Sequence, residues 1–141
     1  MRRLPLMLNI LLALTILGTT LALPGQVQAQ GGDAVVYAVL FYSPTCPHCH
    51  EFIQNDWPTL RATYGDQLQM LFINTATPGG QQLYQAAVEA FNIPPERRGV
   101  PTMICAQTVM VGRFEMAEQL PPLVEGGLKS GGIGLPAIPG L

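Results

Sequence analysis

Charge is scarce in this chain of 141 residues: seven Lys and Arg stand against nine Asp and Glu, 11% of the whole. Lysine occurs only as Lys129. So few cations form no basic stripe, which excludes nucleic acid as a partner. The three cysteines are too few for a disulfide-stapled miniprotein, and a chain of this length buries enough core not to need one. There is one tryptophan, and the two histidines fall at 48 and 50. One long uncharged run is present, Leu4 to Leu23, at the very start.

That run has the flanks of a secretory signal. Arg2 and Arg3 precede it, Pro24-Gly25 breaks it, and Val27-Gln28-Ala29 offers small residues for cleavage before Gln30. The alternative is an uncleaved anchor, because about 20 apolar residues span a bilayer. Either way the remainder is expected outside the cytoplasm, in the periplasm or another extracytoplasmic space. The expected organisation is a signal peptide or anchor over 1–29, a domain over 34–130, and a Gly/Pro-rich linker over 131–141. Residues 30–141 hold five basic and nine acidic side chains, a formal charge of −4.

Within the domain, Ala34 to Tyr42 is apolar, Val-rich and short, which predicts a central strand buried on both faces. Ser43-Pro44-Thr45 ends it. A helix is expected from Cys46 to about Tyr64, with Pro47 in its first turn and a kink imposed by Pro58 near Asn55–Trp57. A strand follows over Gln67–Asn74, then a loop at Thr77-Pro78-Gly79-Gly80 and a helix over Gln81–Phe91. Residues 93–99 form a polar loop. Thr102–Cys105 and Thr108–Phe114 read as a hairpin around Ala106-Gln107, with Gly112 marking a bulge or a close backbone approach. A last helix is expected from about Leu120 to Lys129, because Pro121-Pro122 fit only at a helix start. The order is β-α-β-α-β-β-α, an α/β fold with a parallel first pair and a mixed sheet.

Cys46-x-x-Cys49 is too short a loop for a bridge to add much stability, so chemistry is the better reason for it. Disulfide exchange needs one thiolate to attack and a second thiol to resolve the mixed disulfide. A helix N-terminus and a neighbouring imidazolium both favour the thiolate. Cys46, where strand passes to helix, is therefore the candidate nucleophile and Cys49 the buried resolving thiol. Pro47 and His48 tune the thiolate. No further cofactor is expected.

Phe41-Tyr42-Ser43-Pro44-Thr45-Cys46-Pro47-His48-Cys49 resembles the active-site segment of the thioredoxin superfamily. Val100-Pro101-Thr102 resembles that family's second hallmark, a cis-proline loop facing the cysteines, and Val111-Gly112 a weaker third element. The resemblance spans about Val35 to Lys129 and implies the minimal thioredoxin fold. It implies substrate-binding roles for Val100, Pro101, Thr102 and Gly112, with the backbone before the proline pairing with polypeptide in strand fashion. It further implies unfolded or partly folded exported proteins as substrates, and a membrane-embedded redox partner, since the periplasm has no soluble redox buffer.

The Cys-Pro-His-Cys dipeptide is that of the periplasmic oxidase DsbA, but only 27 residues separate the second and third expected strands, so that oxidase's helical insertion is absent. Leu40 stands where thioredoxins carry a buried Asp, which leaves its role to water or Glu51, and Thr45 stands where Trp is frequent. His48 favours the oxidase or isomerase direction over reduction.

Other readings use the same residues. Cys46-Pro47-His48-Cys49-His50 also fits covalent haem attachment, with His50 as one ligand and Met70, Met103, Met110 or Met116 as the other. Zinc held by Cys46, Cys49 and His50 or Cys105 is a further option, as is a non-catalytic binding module with a structural bridge. Cys105 reads as a buried strand residue, Phe52 and Trp57 as packing residues, and Arg97 and Arg98 as a polar loop bordering the substrate rim. Strand alternation sends one of Phe41 and Tyr42 inward and the other toward the site.

Overall fold

A computed structural model describes residues 34–141, so the expected leader over 1–29 and residues 30–33 lie outside the described part. Among the described residues no helix is long and apolar enough to cross a membrane.

The central strand, β1 (Val36–Tyr42), is sealed along most of its length. It pairs in parallel with β2 (Leu68–Asn74), Val36 opposite Leu68 and Tyr42 opposite Asn74. On its other side it pairs antiparallel with β3 (Thr102–Cys105), Leu40 opposite Met103. β4 (Thr108–Val111) turns back beside β3, giving the order β2-β1-β3-β4. Alternation along β1 divides the core. Val36, Ala38 and Leu40 face one layer, where Phe52, Met116, Leu120 and Val124 meet them. Val39 and Phe41 face the other, with Tyr84, Ala87, Val88 and Ile93. A mixed four-stranded sheet with helices on both faces is the minimal thioredoxin arrangement expected from the element order.

The first helical run breaks its α pattern as its proline requires. α1 (Pro47–Glu51) passes through a π turn (Phe52–Asp56) into α2 (Trp57–Tyr64). Pro58 has no N–H to continue the α pattern; Trp57 N–H instead donates to the Phe52 carbonyl, five residues back. α3 (Pro78–Ala90) starts earlier than expected, because Thr77 caps it by accepting the Gly80 N–H at 3.1 Å and Pro78 occupies the tolerant first position.

α4 departs most from expectation. It runs Arg113–Lys129, so Pro121 and Pro122 lie inside it rather than at its start. Each removes an interior hydrogen bond, at about 3 kcal/mol or more. Met116, Leu120, Val124 and Gly127 offset this by burying one continuous stripe against the sheet. The hairpin is correspondingly shorter: β4 ends at Val111, and Gly112, at φ +86°, caps α4 instead of forming a bulge.

Residues 131–141, expected as a linker, pack back on the domain. The Ile133 N–H donates to Val35 O and the Tyr37 N–H to Ile133 O, both at 2.9 Å, so Ile133 continues the sheet beside Val36, past the end of β3. Ile138 is then buried with Val39, Tyr84 and Ile104 on the opposite layer. Glycine marks a close approach here as much as a loose segment: a Cβ on Gly127 would lie 2.6 Å from Ile133 Cδ1 and 2.8 Å from Val36 Cγ2.

The free edge of β4 is held by an ion pair. Arg97 donates to both Glu115 oxygens, at 2.9 and 2.8 Å, and to Val109 O at 3.3 Å, while the Val111 N–H donates to Glu115 Oε2 at 2.8 Å. Arg97 and the Val111 amide hold the Glu115 carboxyl below its usual range. A lowered folded value adds stability above the unfolded value of about 4.3, which is lost as pH falls through the folded one. Glu115→Gln should remove that portion of the acid-unfolding profile. The half-exposed pair limits the effect at neutral pH to about 1 kcal/mol, measurable by urea unfolding at pH 7 and pH 3.

Candidate functional site

The site is built where β1 hands over to α1. Ser43-Pro44-Thr45 turns the chain, and the Cys46 N–H donates to Ser43 O at 3.1 Å. Cys46 is the N-cap, with extended backbone at φ −91°, and Pro47 fills the first position. This places Cys46 Sγ over the open end of the helical run, where it accepts the Cys49 N–H at 3.2 Å. Cys46 and Cys49 are joined as a disulfide, Cα to Cα 5.2 Å. Their environments differ: Cys46 is half-buried and Cys49 fully buried. An incoming sulfur therefore reaches only Cys46.

A second loop faces the disulfide across the sheet end. The Val100–Pro101 peptide is cis, and the Val100 carbonyl oxygen lies 3.4 Å from Cys46 Sγ. Pro101 and Thr102 are buried. Gly99 is clamped at both backbone atoms: its N–H donates to Tyr84 Oη at 2.7 Å, and its carbonyl accepts from Tyr84 Oη at 3.1 Å and Thr102 Oγ1 at 2.6 Å. Phe41 holds the Tyr84 ring edge-on at 5.3 Å. Tyr84→Phe should remove both bonds to Gly99; because Gly99 is exposed and water can replace the hydroxyl, the cost should be about 0.5–1.5 kcal/mol, read as a lowered denaturation midpoint. From the other side, the Gly112 N–H donates to Pro101 O at 2.9 Å.

The charged groups form one chain along the rim. His48 is exposed, its Nδ1 3.4 Å from Glu51 Oε2. Arg113 donates to the same Glu51 oxygen at 3.3 Å and to Asp56 through Nε and Nη2. Glu51 is thus a surface group within this chain, and it is not the buried carboxylate missing at Leu40. Thr102 is the only fully buried polar side chain among the described residues. No buried carboxylate there can take a proton from Cys49.

The remaining candidates are dispersed. Thr45 and His50 face solvent. Met103, Met110 and Met116 are sealed in the core and Met70 packs against it, so the haem ligand set is not assembled around His50. Cys105 is fully buried, and burial pushes its thiol up to about 11. Among the described residues no three His, Cys, Asp or Glu side chains are placed to hold a metal ion. Arg98 is tied to Ile93 O at 3.0 Å, while Arg97 serves the β4 edge.

The sequence did not single out Tyr84 or Arg113. Tyr84 carried a signal, since a tyrosine on the apolar face of a helix brings a hydroxyl that needs a partner. Arg113 carried none, because its acidic partners are 57 and 62 residues away.

No protein-family model matches the chain, and no curated protein matches it. Among solved structures, a malarial protein shares 17% identity over 65% of this chain and 96% of its own, at a TM-score of 0.44. The holo form of glutaredoxin C1 from Populus tremula x tremuloides shares 19% identity over 67% of this chain and 80% of its own, at a TM-score of 0.42. Likeness at this level says nothing about activity; what is established is a thioredoxin-like strand order carrying a Cys-x-x-Cys disulfide at the start of a helix.

Proposed function

We propose that this protein is an exported thiol–disulfide oxidoreductase acting on protein substrates through Cys46 and Cys49, as an oxidase or isomerase. The observation that carries this reading is the placement of Cys46 Sγ, half-exposed on the open end of a helical run and accepting the Cys49 N–H. A donor aimed at sulfur favours its anionic form.

The exchange follows from that asymmetry. A substrate thiolate attacks Cys46 Sγ, a substrate–Cys46 bond forms, and the Cys46–Cys49 bond breaks. Cys49 leaves with the electron pair and takes a proton from water. A second substrate thiolate then attacks the substrate sulfur, closing the substrate disulfide and expelling Cys46 as a thiolate. The substrate loses two electrons and the cysteine pair gains them. Reoxidation falls to a membrane-embedded partner. The Val100 backbone and Gly112 form the rim on which an extended substrate segment lies; cis-Pro101 and Thr102, both buried, shape that rim from beneath, Thr102 through its bond to Gly99 O. Arg2, Arg3 and the run Leu4–Leu23 support export, with a mature chain starting at Gln30.

Equilibrating the Cys46/Cys49 pair in glutathione buffers tests the direction. A potential near about −120 mV fits an oxidase, whereas one near about −270 mV, the thioredoxin value, rejects it.

A further inference from the structure

Among the described residues, Phe114 is the most exposed large hydrophobic side chain, at 80%. Its neighbours are all fixed. Gly112 is bonded to Pro101 O, and the Arg113 guanidinium is bonded to Glu51 and Asp56 of the helical run that begins at the disulfide. The Glu115 carboxylate is held by Arg97 and the Val111 amide. Residues 112, 113 and 115 are thus anchored to the cis-proline loop, the active-site helix and the β4 edge, while the side chain between them meets solvent. A mobile loop would lose entropy on engaging a ligand. An aromatic ring on a fixed backbone loses little, which is the design of a binding anchor.

We propose that Phe114 is a specificity-determining residue that contacts an apolar side chain flanking the substrate cysteine. This rests on the oxidoreductase reading and names its preferred substrate class: partly unfolded polypeptide whose cysteine has an apolar neighbour. Two features favour such a segment. Phe114 follows two residues after Gly112, whose N–H is bonded to the carbonyl of Pro101 in the loop beside the disulfide, so one extended segment reaches both. The charged residue preceding Phe114, Arg113, is already paired with Glu51 and Asp56 and offers no free cation to an acidic segment.

The test uses two dithiol peptides that differ only in the residues flanking one cysteine, Leu-Phe in one and Gly-Ser in the other. The wild-type protein should prefer the apolar peptide in kcat/KM. Phe114→Ser should cut that preference about tenfold, as loss of an apolar anchor of this size does, and Phe114→Leu should retain most of it. An unchanged preference in Phe114→Ser overturns the proposal. A cysteine-free version of the apolar peptide reads the contact without exchange: it should shift the amide resonances of Gly112–Glu115 in the wild-type protein and not in Phe114→Ser. Absence of those shifts in the wild-type protein overturns the proposal whatever the exchange rates. Shifts without any exchange sink the oxidoreductase reading and leave the contact standing.

Discussion

Cys46→Ser should reduce disulfide exchange to the uncatalysed rate, and Cys49→Ser should instead accumulate a covalent adduct between Cys46 and the substrate. The two outcomes follow from one asymmetry. Cys46 is reachable and accepts an amide hydrogen bond; Cys49 is sealed behind it. Removing the outer sulfur removes the atom that substrates attack. Removing the inner one leaves Cys46 as a thiolate that attacks the disulfide of an oxidised peptide, expelling one half as a thiolate and keeping the other, with no second thiol to resolve the adduct. Cys105 does not substitute, since it is fully buried in the sheet with its thiol pushed up to about 11. Intact-mass analysis after mixing with an oxidised peptide distinguishes the variants: a species of protein plus one peptide half for Cys49→Ser, and none for Cys46→Ser. An adduct on Cys46→Ser would transfer the nucleophile's role to another cysteine.

The largest effect on stability should come from the tail. Ending the chain at Ser130 deletes Ile133, which continues the sheet beside Val36, and Ile138, buried at 5% exposure in the layer beneath α3. The burial of two branched side chains is forfeited, Val39 and Ile104 lose cover, and the bonds between Ile133 and the backbone of Val35 and Tyr37 are lost. Burial of such side chains is worth about 1.5–3 kcal/mol each, so truncation should cost on the order of 3–5 kcal/mol. For a domain near 100 residues this is a large share of a typical stability of about 5–15 kcal/mol. Denaturant unfolding of the truncated chain, with Ile138→Ala as the single-site control, measures it. An unchanged midpoint would mean that the tail lies on the domain without supporting it.

The parts of the fold that follow from short-range rules were legible in the residues. β1 announces itself as an apolar, β-branched run, and the pause at Ser43-Pro44-Thr45 places Cys46 at a strand-to-helix junction. Pro58 required a break in the first helix, and the π turn at Phe52–Asp56 is that break. What was not legible depends on partners distant in sequence. Pro121-Pro122 argue locally for a helix start, and only the stripe from Met116 to Gly127 against the sheet keeps the turns before them helical. The tail has the composition of a linker, yet Ile133 and Ile138 find the open end of β1 and the space beneath α3. The start of α3 is a local exception: Thr77 caps Gly80 only three residues on, and the Pro-Gly-Gly composition after it masks that signal. At the site, the cysteines and the Val-Pro-Thr triplet stood out as motifs. The clamp on Gly99 by Tyr84 and the bonds from Arg113 to Glu51 and Asp56 did not, because their partners are 15 to 62 residues apart.

All of the proposed chemistry depends on Cys46 being an activated sulfur. The direct measurement is the rate of iodoacetamide alkylation of the reduced protein as a function of pH, with Cys49→Ser leaving Cys46 as the one reachable thiol beside the buried Cys105. The helix-end position and the Cys49 amide predict a midpoint clearly below about 8.5, the value of free cysteine, and rapid reaction at neutral pH. A midpoint at or above that value would show that the helix end does not stabilise this thiolate, and would contradict the account.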